Sequence, residues 1–252
     1  MGTGAITQYI DVAQLVLYAF WIFFAFLIYY LVLENHREGY PMVTDNGVTV
    51  RGFPIPEPKT YLLQDGRTFS APNDIVSPQV LMAEPAHRWA GAPLVPTGAN
   101  PLLDGVGPGA WADRQDHPDV NFEGHIKLMP LRVATEFSVS RGDTDPRGLP
   151  VMGADNQVGG TVVDLWVDEA ESLFRYIELE SASNGRRVLL PMNFARVSRD
   201  KVKVGAILGH QFADVPGTRN PDVVTLLEEE KIMGYYGAGT LYAEPSRAEP
   251  LL

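Results

Sequence analysis

One long apolar run dominates the hydrophobic pattern of this chain. Residues 12–33 contain a single strongly polar side chain, Gln14, and the residues after them are mostly polar. An α-helix rises about 1.5 Å per residue, so this run would extend over roughly 33 Å, and the hydrocarbon core of a bilayer is about 30 Å thick. The pattern therefore predicts one transmembrane helix, over residues 12–35, after a short N-terminal segment, residues 1–11.

A cleaved signal peptide and a buried core helix are the two other interpretations of this run. Residues 1–11 contain no Lys or Arg, the run is too long for a signal peptide, and residues 34–41 offer no small-x-small cleavage site. A core helix is rarely apolar on every face over about six turns. Tyr18, Tyr29 and Tyr30 also suit a lipid boundary. We therefore expect a retained membrane anchor.

The charges on either side of the helix predict its orientation. Asp11 is the only charged residue before the run, while His36 and Arg37 follow the helix. Under the positive-inside rule the N-terminus is periplasmic and the large C-terminal part is cytoplasmic. The absence of cysteine agrees with this orientation, because exported domains of this size often contain disulfides.

Residues 36–118 are rich in proline and glycine, with twelve prolines between positions 41 and 118. Proline lacks an N–H donor and fixes φ, so neither a long helix nor a central strand is expected here. A disordered linker is one interpretation, but linkers lack large apolar side chains. This stretch contains Phe53, Tyr61, Leu62, Leu63, Phe69, Trp89 and Trp111. We expect an extended segment held against a partner surface.

From about Leu128 the pattern changes to short strands. Residues 158–167 alternate, with Val163, Leu165 and Val167 expected on one face, and Asn184-Gly185 is a strong tight-turn signal. Short strands, tight turns and no intervening helices predict a small antiparallel barrel within residues 119–252.

One helix is predicted near the C-terminus, over about 225–236. Thr225 and Glu228 have the spacing of a capping box, and Gly237 and Gly239 are expected to end the helix. The charged residues 228–231 are interpreted as a solvated helix face, with carboxylates favourable near the helix N-terminus. Gly234 to Gly239 lack the strand–turn–helix setting of a nucleotide loop.

The composition excludes some classes of partner. Lys plus Arg number 20 and Asp plus Glu number 31, so the net charge is −11, of which all but Asp11 lies after the apolar run. An acidic domain repels nucleic acid and anionic lipid head groups, so we expect no nucleic-acid partner.

Several motifs, in collinear order, resemble the H subunit of the purple-bacterial photosynthetic reaction centre. The similarity extends over nearly the whole chain, and REGYP directly after a single span is its most specific part. The matching segments are 20–41 (FWIFFAFLIYYLVLENHREGYP), 104–111 (DGVGPGAW), 148–151 (GLPV), 162–168 (VVDLWVD), 189–192 (LLPM) and 225–243 (TLLEEEKIMGYYGAGTLYA).

The resemblance implies a fold, a set of partners and a function. It implies an N-terminal helix beside the L and M subunits and a mainly β cytoplasmic domain, a PRC barrel with one C-terminal helix, that covers their quinone side in the inner, photosynthetic membrane. The complex would hold bacteriochlorophyll, bacteriopheophytin, carotenoid, quinones and a non-haem iron, none bound mainly by this chain. The chain itself would be a non-catalytic subunit that shields the quinone sites from water and conducts protons toward the secondary quinone.

Residues 132–151 are most similar to the branch of the family whose complexes contain a tetrahaem cytochrome subunit. That subunit and a light-harvesting antenna are therefore further candidate partners, together with membrane lipids.

Asp168 and Glu171 are the first candidates for proton transfer. Two carboxylates at i and i+3 in a strand-end turn can hold a shared proton when they are partly buried, and Arg175 is placed to tune them. On sequence alone a solvated acidic turn is the simpler interpretation. The resemblance implies a functional role, because Glu171 matches the family's glutamate near the secondary quinone and Asp168 the acidic residue before it.

A second candidate site lies around His125. The resemblance implies a surface spot here where Asp and His residues guard proton entry and can bind a transition metal. In this chain Asn121 and Glu123 stand at the family's aspartate and histidine positions, so too few ligands remain and we expect no metal site. Proton uptake by His125, assisted by Asp119 and Glu123, and an ordinary surface histidine remain as alternatives.

Arg37 and Tyr40 follow the predicted helix and are expected at the membrane interface. Anchoring is the simplest role, and the forked donors of Arg37 also suit a phospholipid phosphate.

Two alternative functions are a non-photosynthetic, membrane-anchored PRC-barrel adaptor and a membrane-tethered hydrolase. Adaptors of that kind lack the REGYP sequence directly after the membrane span and the proline-rich segment. The sequence shows no set of catalytic residues that would support a hydrolase.

Overall fold

The computed structural model describes residues 4, 6, 10–42, 48–50, 52–73, 81–89 and 91–248. Most of the predicted N-terminal segment 1–11, and Pro78 of the proline-rich stretch, lie outside these residues. The chain divides into two compact units, Met1–Ser77 and Pro78–Leu252.

The first unit contains the apolar helix α1, Val12–Asn35. Asp11 caps it, because its carboxylate accepts the N–H of Gln14 at 2.7 Å. Within the described part of the chain, α1 is the one helix that is long and apolar enough to cross a membrane, and no residue of it is buried by the protein. The predicted N-terminal apolar helix is confirmed.

A β-hairpin follows α1 in the first unit. Strands β1 (Lys59–Leu62) and β2 (Thr68–Ala71) pair antiparallel, with Tyr61 opposite Phe69. Both aromatic side chains are exposed, and Leu62 is 78% exposed. The hairpin therefore exposes three neighbouring large apolar side chains. A cluster of this kind on a protein surface is typical of an interaction site.

The second unit consists of two β-sheets and the helix α2, Leu226–Tyr242. The strands are β3 (Ala83–Pro85), β4 (Leu94–Pro96), β5 (Leu128–Pro130), β6 (Pro150–Met152), β7 (Val158–Asp168), β8 (Leu173–Ser181), β9 (Arg187–Pro191), β10 (Ala195–Val197) and β11 (Val202–Val204). Strands β3 and β4 form a short hairpin, and the other seven strands form one curled sheet in the order β10–β11–β6–β7–β8–β9, with β5 paired to β7.

The curled sheet confirms the predicted mainly β domain, with one difference in strand direction. Strands β6 to β9 pair antiparallel in sequence, and the predicted Asn184-Gly185 turn joins β8 to β9, with Gly185 at φ +66°. Strand β11, however, pairs parallel to β6. The β10–β11 hairpin pairs with the edge of β6 that β7 leaves free, so it extends the sheet on the side away from β8 and β9.

The alternation predicted for β7 is not kept. Val162, Leu165, Trp166 and Val167 are each at most 2% exposed, so both faces of the strand are covered. Register shifts against β8 at Val162/Asp164 and Trp166/Val167 interrupt the two-residue period. The C-terminal half of this strand is therefore buried on both faces and is not exposed to solvent on one of them.

Helix α2 begins with the predicted capping box but ends later than predicted. The Glu228 N–H donates to Thr225 Oγ1 at 3.2 Å, and the Thr225 N–H donates to Glu228 Oε2 at 2.9 Å. The helix continues through Gly237 to Tyr242, so the predicted end near residue 236 is wrong. A Cβ on Gly237 would collide with the carbonyl of Pro108, which shows that the glycine serves close packing and not termination.

The predicted boundary between residues 118 and 119 is also different in the structure. Leu102 and Val106 are 3% exposed and belong to the core of the second unit. The 3₁₀ turn Gly107–Gly109 packs on α2, where a Cβ on Gly109 would lie 2.7 Å from the Cβ of Ala238. The end of the proline-rich stretch is therefore part of the barrel unit.

Candidate functional site

The turn between β7 and β8 brings the first predicted residues together. Asp168 is the last residue of β7, and Arg175 lies on β8. Leu128 of β5 pairs with Asp168, which sets the preceding residue, Lys127, beside the same turn. Ser172 adopts a positive φ of 53° where the chain reverses.

Asp168 is the buried centre of this arrangement, with 2% of its surface exposed. Its carboxylate accepts the N–H of Glu171 at 3.0 Å and the Nε–H of Arg175 at 3.2 Å. Lys127 Nζ is 3.5 Å away. A buried carboxylate needs such partners, because an uncompensated charge would cost several kcal/mol. Asp168 therefore organises the turn.

Glu171 lies at the outer side, with 48% of its side chain exposed. One terminal nitrogen of Arg175 is 2.9 Å from Glu171 Oε2 and 3.1 Å from Asp168 Oδ2, and Lys127 Nζ is 3.9 Å from Glu171 Oε1. The two carboxylates are thus joined through cations rather than through a direct contact.

Asp119 is connected to this group by Lys127. The ammonium is 3.6 Å from Asp119 Oδ2, and the Lys127 N–H donates to the Asp119 carbonyl at 3.0 Å. We call these five residues the pocket cluster: Asp119, Lys127, Asp168, Glu171 and Arg175. Lys127 was absent from the sequence prediction; its position just before a strand of the sheet was the only available signal.

His125 and Glu123 lie apart from the pocket cluster, on an exposed turn. His125 Nδ1 is 3.7 Å from Glu123 Oε2, and the side chains are 72% and 57% exposed. Asn121 holds the turn, since its side-chain oxygen accepts the N–H groups of Glu123 and His125 at 3.0 Å each. Across the described residues no three potential metal ligands come together.

A polar pocket of about 270 Å³ opens beside the pocket cluster. At about 30 Å³ for each molecule in the liquid, that volume has room for several waters. Its walls come from β5, β7, β8, α2 and the segment before β5. The lining residues are Arg114, Asp119, Lys127, Leu128, Asp168, Arg175, Tyr176, Leu226, Glu229, Glu230 and Met233.

The acidic start of α2 is not the solvated face that the sequence predicted. Glu228 is 8% exposed, and its Oε1 accepts the N–H of Arg219 at 2.9 Å. Glu229 and Glu230 both line the pocket, and Glu230 accepts the N–H of Ala112 at 3.3 Å. The prediction failed because it treated α2 as isolated, whereas the segment before β5 packs over this turn of the helix.

Tyr176 and Glu229 form a hydrogen-bonded pair in the pocket wall. The Tyr176 hydroxyl donates to Glu229 Oε1 at 2.8 Å. Burial raises the pKa of the Tyr176 phenol, and the adjacent Glu229 raises it further. Burial also raises the pKa of Glu229, against the hydrogen bond from Tyr176 and the charge of Arg175, which both lower it. Neither residue was predicted from sequence.

A second set of charges lies elsewhere in the same unit, and we call it the Arg132 cluster: Arg132, Asp164, Glu178 and Asp222. Arg132 donates to Glu178 at 2.6 Å, to Asp164 at 3.2 Å and to Asp222 at 2.8 Å. Glu178 is 3% exposed and also accepts the indole N–H of Trp166 at 2.9 Å. These contacts join loops to β7 and β8, so the cluster is structural.

Arg37 lies at the end of α1 and is 8% exposed. Its guanidinium donates to Glu34 at 2.7 and 2.9 Å and to the carbonyls of Glu57 at 2.5 Å and Ala71 at 3.2 Å. These bonds attach the first hairpin to the helix end, so the donors of Arg37 are engaged by protein groups.

Tyr40 contacts the ring of His36, with ring centroids 4.0 Å apart and the planes tilted by 33°, and is 38% exposed. Lys59 of β1 is also exposed at this end of α1, and its Nζ is 2.7 Å from Glu34. Lys59 was not among the residues that the sequence predicted at the membrane interface.

An apolar, membrane-length helix and a small curled β-sheet fit the class of proteins with one membrane anchor and a barrel-like β domain. Residues 4–133 match the family model described as photosynthetic reaction centre, H-chain N-terminal region, and residues 139–211 match the model of the PRC-barrel domain. The first match spans more than half of the 252 residues. The chain therefore belongs to the H-chain family of photosynthetic reaction centres, as the motifs predicted.

This membership defines the chain as a structural subunit of a light-driven electron-transfer complex that contains other subunits. The match of its N-terminal half to the H chain favours this assignment over a non-photosynthetic adaptor, which would share only the barrel.

Proposed function

We propose that this chain covers the quinone-binding side of the reaction-centre L and M subunits and conducts protons from the cytoplasm toward the secondary quinone. The N-terminus would be periplasmic and the barrel unit cytoplasmic, in the inner, photosynthetic membrane. Family membership, the one apolar helix of the described residues, and the basic residues His36 and Arg37 after it support this arrangement.

The pigments and redox groups belong, in this proposal, to the neighbouring subunits. Those subunits would hold bacteriochlorophyll, bacteriopheophytin, carotenoid, quinones and non-haem iron, and none would be bound mainly by this chain. A tetrahaem cytochrome and a light-harvesting antenna are further proposed partners.

The exposed apolar side chains of the first unit support docking on partner subunits. Phe53 is 54% exposed and Leu62 is 78% exposed, although neither belongs to α1. Burying such side chains stabilises an interface by about 1.5–3 kcal/mol each. Leu62→Asp should therefore lower the yield of assembled complex in detergent extracts, and Gln64→Asp, which adds the same charge two residues away, should not.

The pocket beside Asp168 is the observation that carries the proton-transfer part of the proposal. Full reduction of the secondary quinone follows Q + 2 e⁻ + 2 H⁺ → QH₂. The electrons come from the photochemistry of the neighbouring subunits, and both protons come from the cytoplasm. A polar pocket lined by carboxylates offers groups that exchange protons through water.

Within this pocket Asp119, Lys127 and Asp168 form an unbroken series of charged groups, with successive contacts of 3.6 and 3.5 Å. Glu171 and Arg175 extend the series outward. The His125–Glu123 pair is proposed to collect protons at the surface, because both side chains are mostly exposed to solvent. Tyr40 and Arg37 are proposed to hold the helix end at the membrane interface.

Glu171→Gln tests the proposal in purified reaction centres. The variant keeps the shape of the side chain but removes the ionisable carboxyl group. We therefore expect a slower second electron transfer to the secondary quinone and an unchanged rate of the first electron transfer. Glu169→Gln removes the same charge from the same turn and should behave like the wild type. Equal proton-uptake kinetics in both variants would remove Glu171 from the path.

A further inference from the structure

Tyr176 and Glu229 occupy the pocket wall but have no part in the series of charges described above. Tyr176 is 4% exposed, and its hydroxyl lies 2.8 Å from Glu229 Oε1. Glu229 is half-buried in the first turn of α2. The pair therefore links β8 to α2 across one side of the pocket.

The contacts of Glu229 differ in kind from those of the other pocket carboxylates. Asp119, Asp168 and Glu230 each have the nitrogen of a Lys or Arg side chain within 4 Å. The hydrogen-bond partner of Glu229 is instead a neutral phenol. A carboxyl group that accepts one bond from a hydroxyl accommodates a proton on its other oxygen without breaking an ion pair.

Charged groups from four parts of the pocket wall face Glu229 and influence its protonation. The segment before β5 contributes two cations and one anion, β7 contributes an anion, β8 contributes a cation, and the next residue of α2 is acidic. The facing groups are Arg114, Asp119, Lys127, Asp168, Arg175 and Glu230.

Burial is the largest influence on Glu229 and raises its pKa, while the Tyr176 hydrogen bond and Arg175 lower it. The position of Glu229 near the N-terminus of α2 also favours the carboxylate. Burial therefore favours the protonated form, whereas the partners of Glu229 favour the carboxylate, and these opposing influences suit a group that exchanges a proton.

We propose that Glu229, oriented by Tyr176, is a further carboxyl group of this pocket that takes up and releases a proton. Uptake forms one O–H bond on Glu229 with a proton from solvent, and release breaks that bond and passes the proton onward. No electron moves at this residue. The inference deepens the proposed function and rests on it for the destination of the proton, whereas the exchange itself is a property of the pocket.

The exchange is tested by titrating assembled reaction centres in the dark and recording infrared difference spectra between pH values. The wild type should show a carboxylic-acid carbonyl band that titrates above the ordinary range for glutamate. Glu229→Gln should lose this band. Tyr176→Phe should keep it but shift its midpoint to higher pH, because the bond that favours the carboxylate is removed.

Glu169→Gln is the matched control and should leave the band unchanged. The same titrating band in Glu229→Gln as in the wild type would overturn the proposal. A midpoint in Tyr176→Phe that stays in place or moves to lower pH would overturn the role of Tyr176.

Flash-induced proton uptake separates this inference from the proposed function. If the proposed function holds, Glu229→Gln should also lower uptake on reduction of the secondary quinone. If the dark titration is as expected but uptake is unchanged in both Glu171→Gln and Glu229→Gln, the proton-transfer function fails while Glu229 remains the exchanging group.

Discussion

The Arg132 cluster and the pocket cluster use the same kinds of side chain for different ends. In the Arg132 cluster one guanidinium contacts three carboxylates, and Trp166 covers Glu178. In the pocket cluster most carboxylates and cations line an open pocket. Carboxylates that converge on one guanidinium hold loops to the sheet, whereas charges that border a pocket can exchange protons with the water in it. The arrangement of the side chains, and not residue type, distinguishes the two.

Removing one guanidinium from each cluster should give the largest difference. Arg132→Met leaves Glu178 and Asp164 with fewer partners, so we expect a loss of about 3 kcal/mol in the free energy of unfolding. Arg175→Met should cost less than about 1 kcal/mol, because its side chain is 42% exposed and Lys127 still contacts Asp168. Chemical unfolding of the full chain in detergent measures both, and equal losses would refute the comparison.

Removing a carboxylate charge within the pocket cluster should separate the buried member from the exposed one. Asp168→Asn loses two ion pairs at a site that is 2% exposed, so we expect destabilisation of about 1–2 kcal/mol. Glu171→Gln should change stability by less than about 0.5 kcal/mol. Thermal unfolding of the two variants checks this order, and a larger cost for Glu171→Gln would contradict it.

The smallest expected effect concerns the pH dependence of stability at Glu229. A carboxyl with a raised pKa in the folded state stabilises the fold below its unfolded pKa, and this contribution is lost as the pH rises through the folded pKa. Wild-type stability should therefore fall with rising pH relative to Glu229→Gln. Melting temperatures of both proteins from pH 4 upward measure the difference, and parallel curves would contradict a raised pKa.

The parts of the fold that were predictable from sequence are those encoded locally. The apolar run defines α1, Asn184-Gly185 defines the β8–β9 turn, and Thr225 with Glu228 defines the start of α2. Each of these signals lies within one element or one turn, so it needs no knowledge of distant packing.

The features that were missed depend on contacts between distant segments. Gly237 looks like a helix stop until the 3₁₀ turn at 107–109 is packed against it. Lys127 and Glu229 join the pocket only because β5 pairs with β7 and α2 lies across from β8. Likewise, the sequence could not show that the donors of Arg37 are occupied by protein groups, because the carbonyls that accept its hydrogen bonds lie 20 and 34 residues later in the chain.

The central claim, that the pocket supplies protons to the secondary quinone, is tested most directly by flash spectroscopy on assembled reaction centres. The measurement compares the rate of the second electron transfer in Asp119→Asn/Glu171→Gln with that in the charge-matched Glu136→Gln/Glu169→Gln. The account predicts at least about a tenfold slowing in the first pair of substitutions, equal to about 1.4 kcal/mol in the barrier, and none in the second. Equal rates in the two double variants, with the first electron transfer intact, would contradict it.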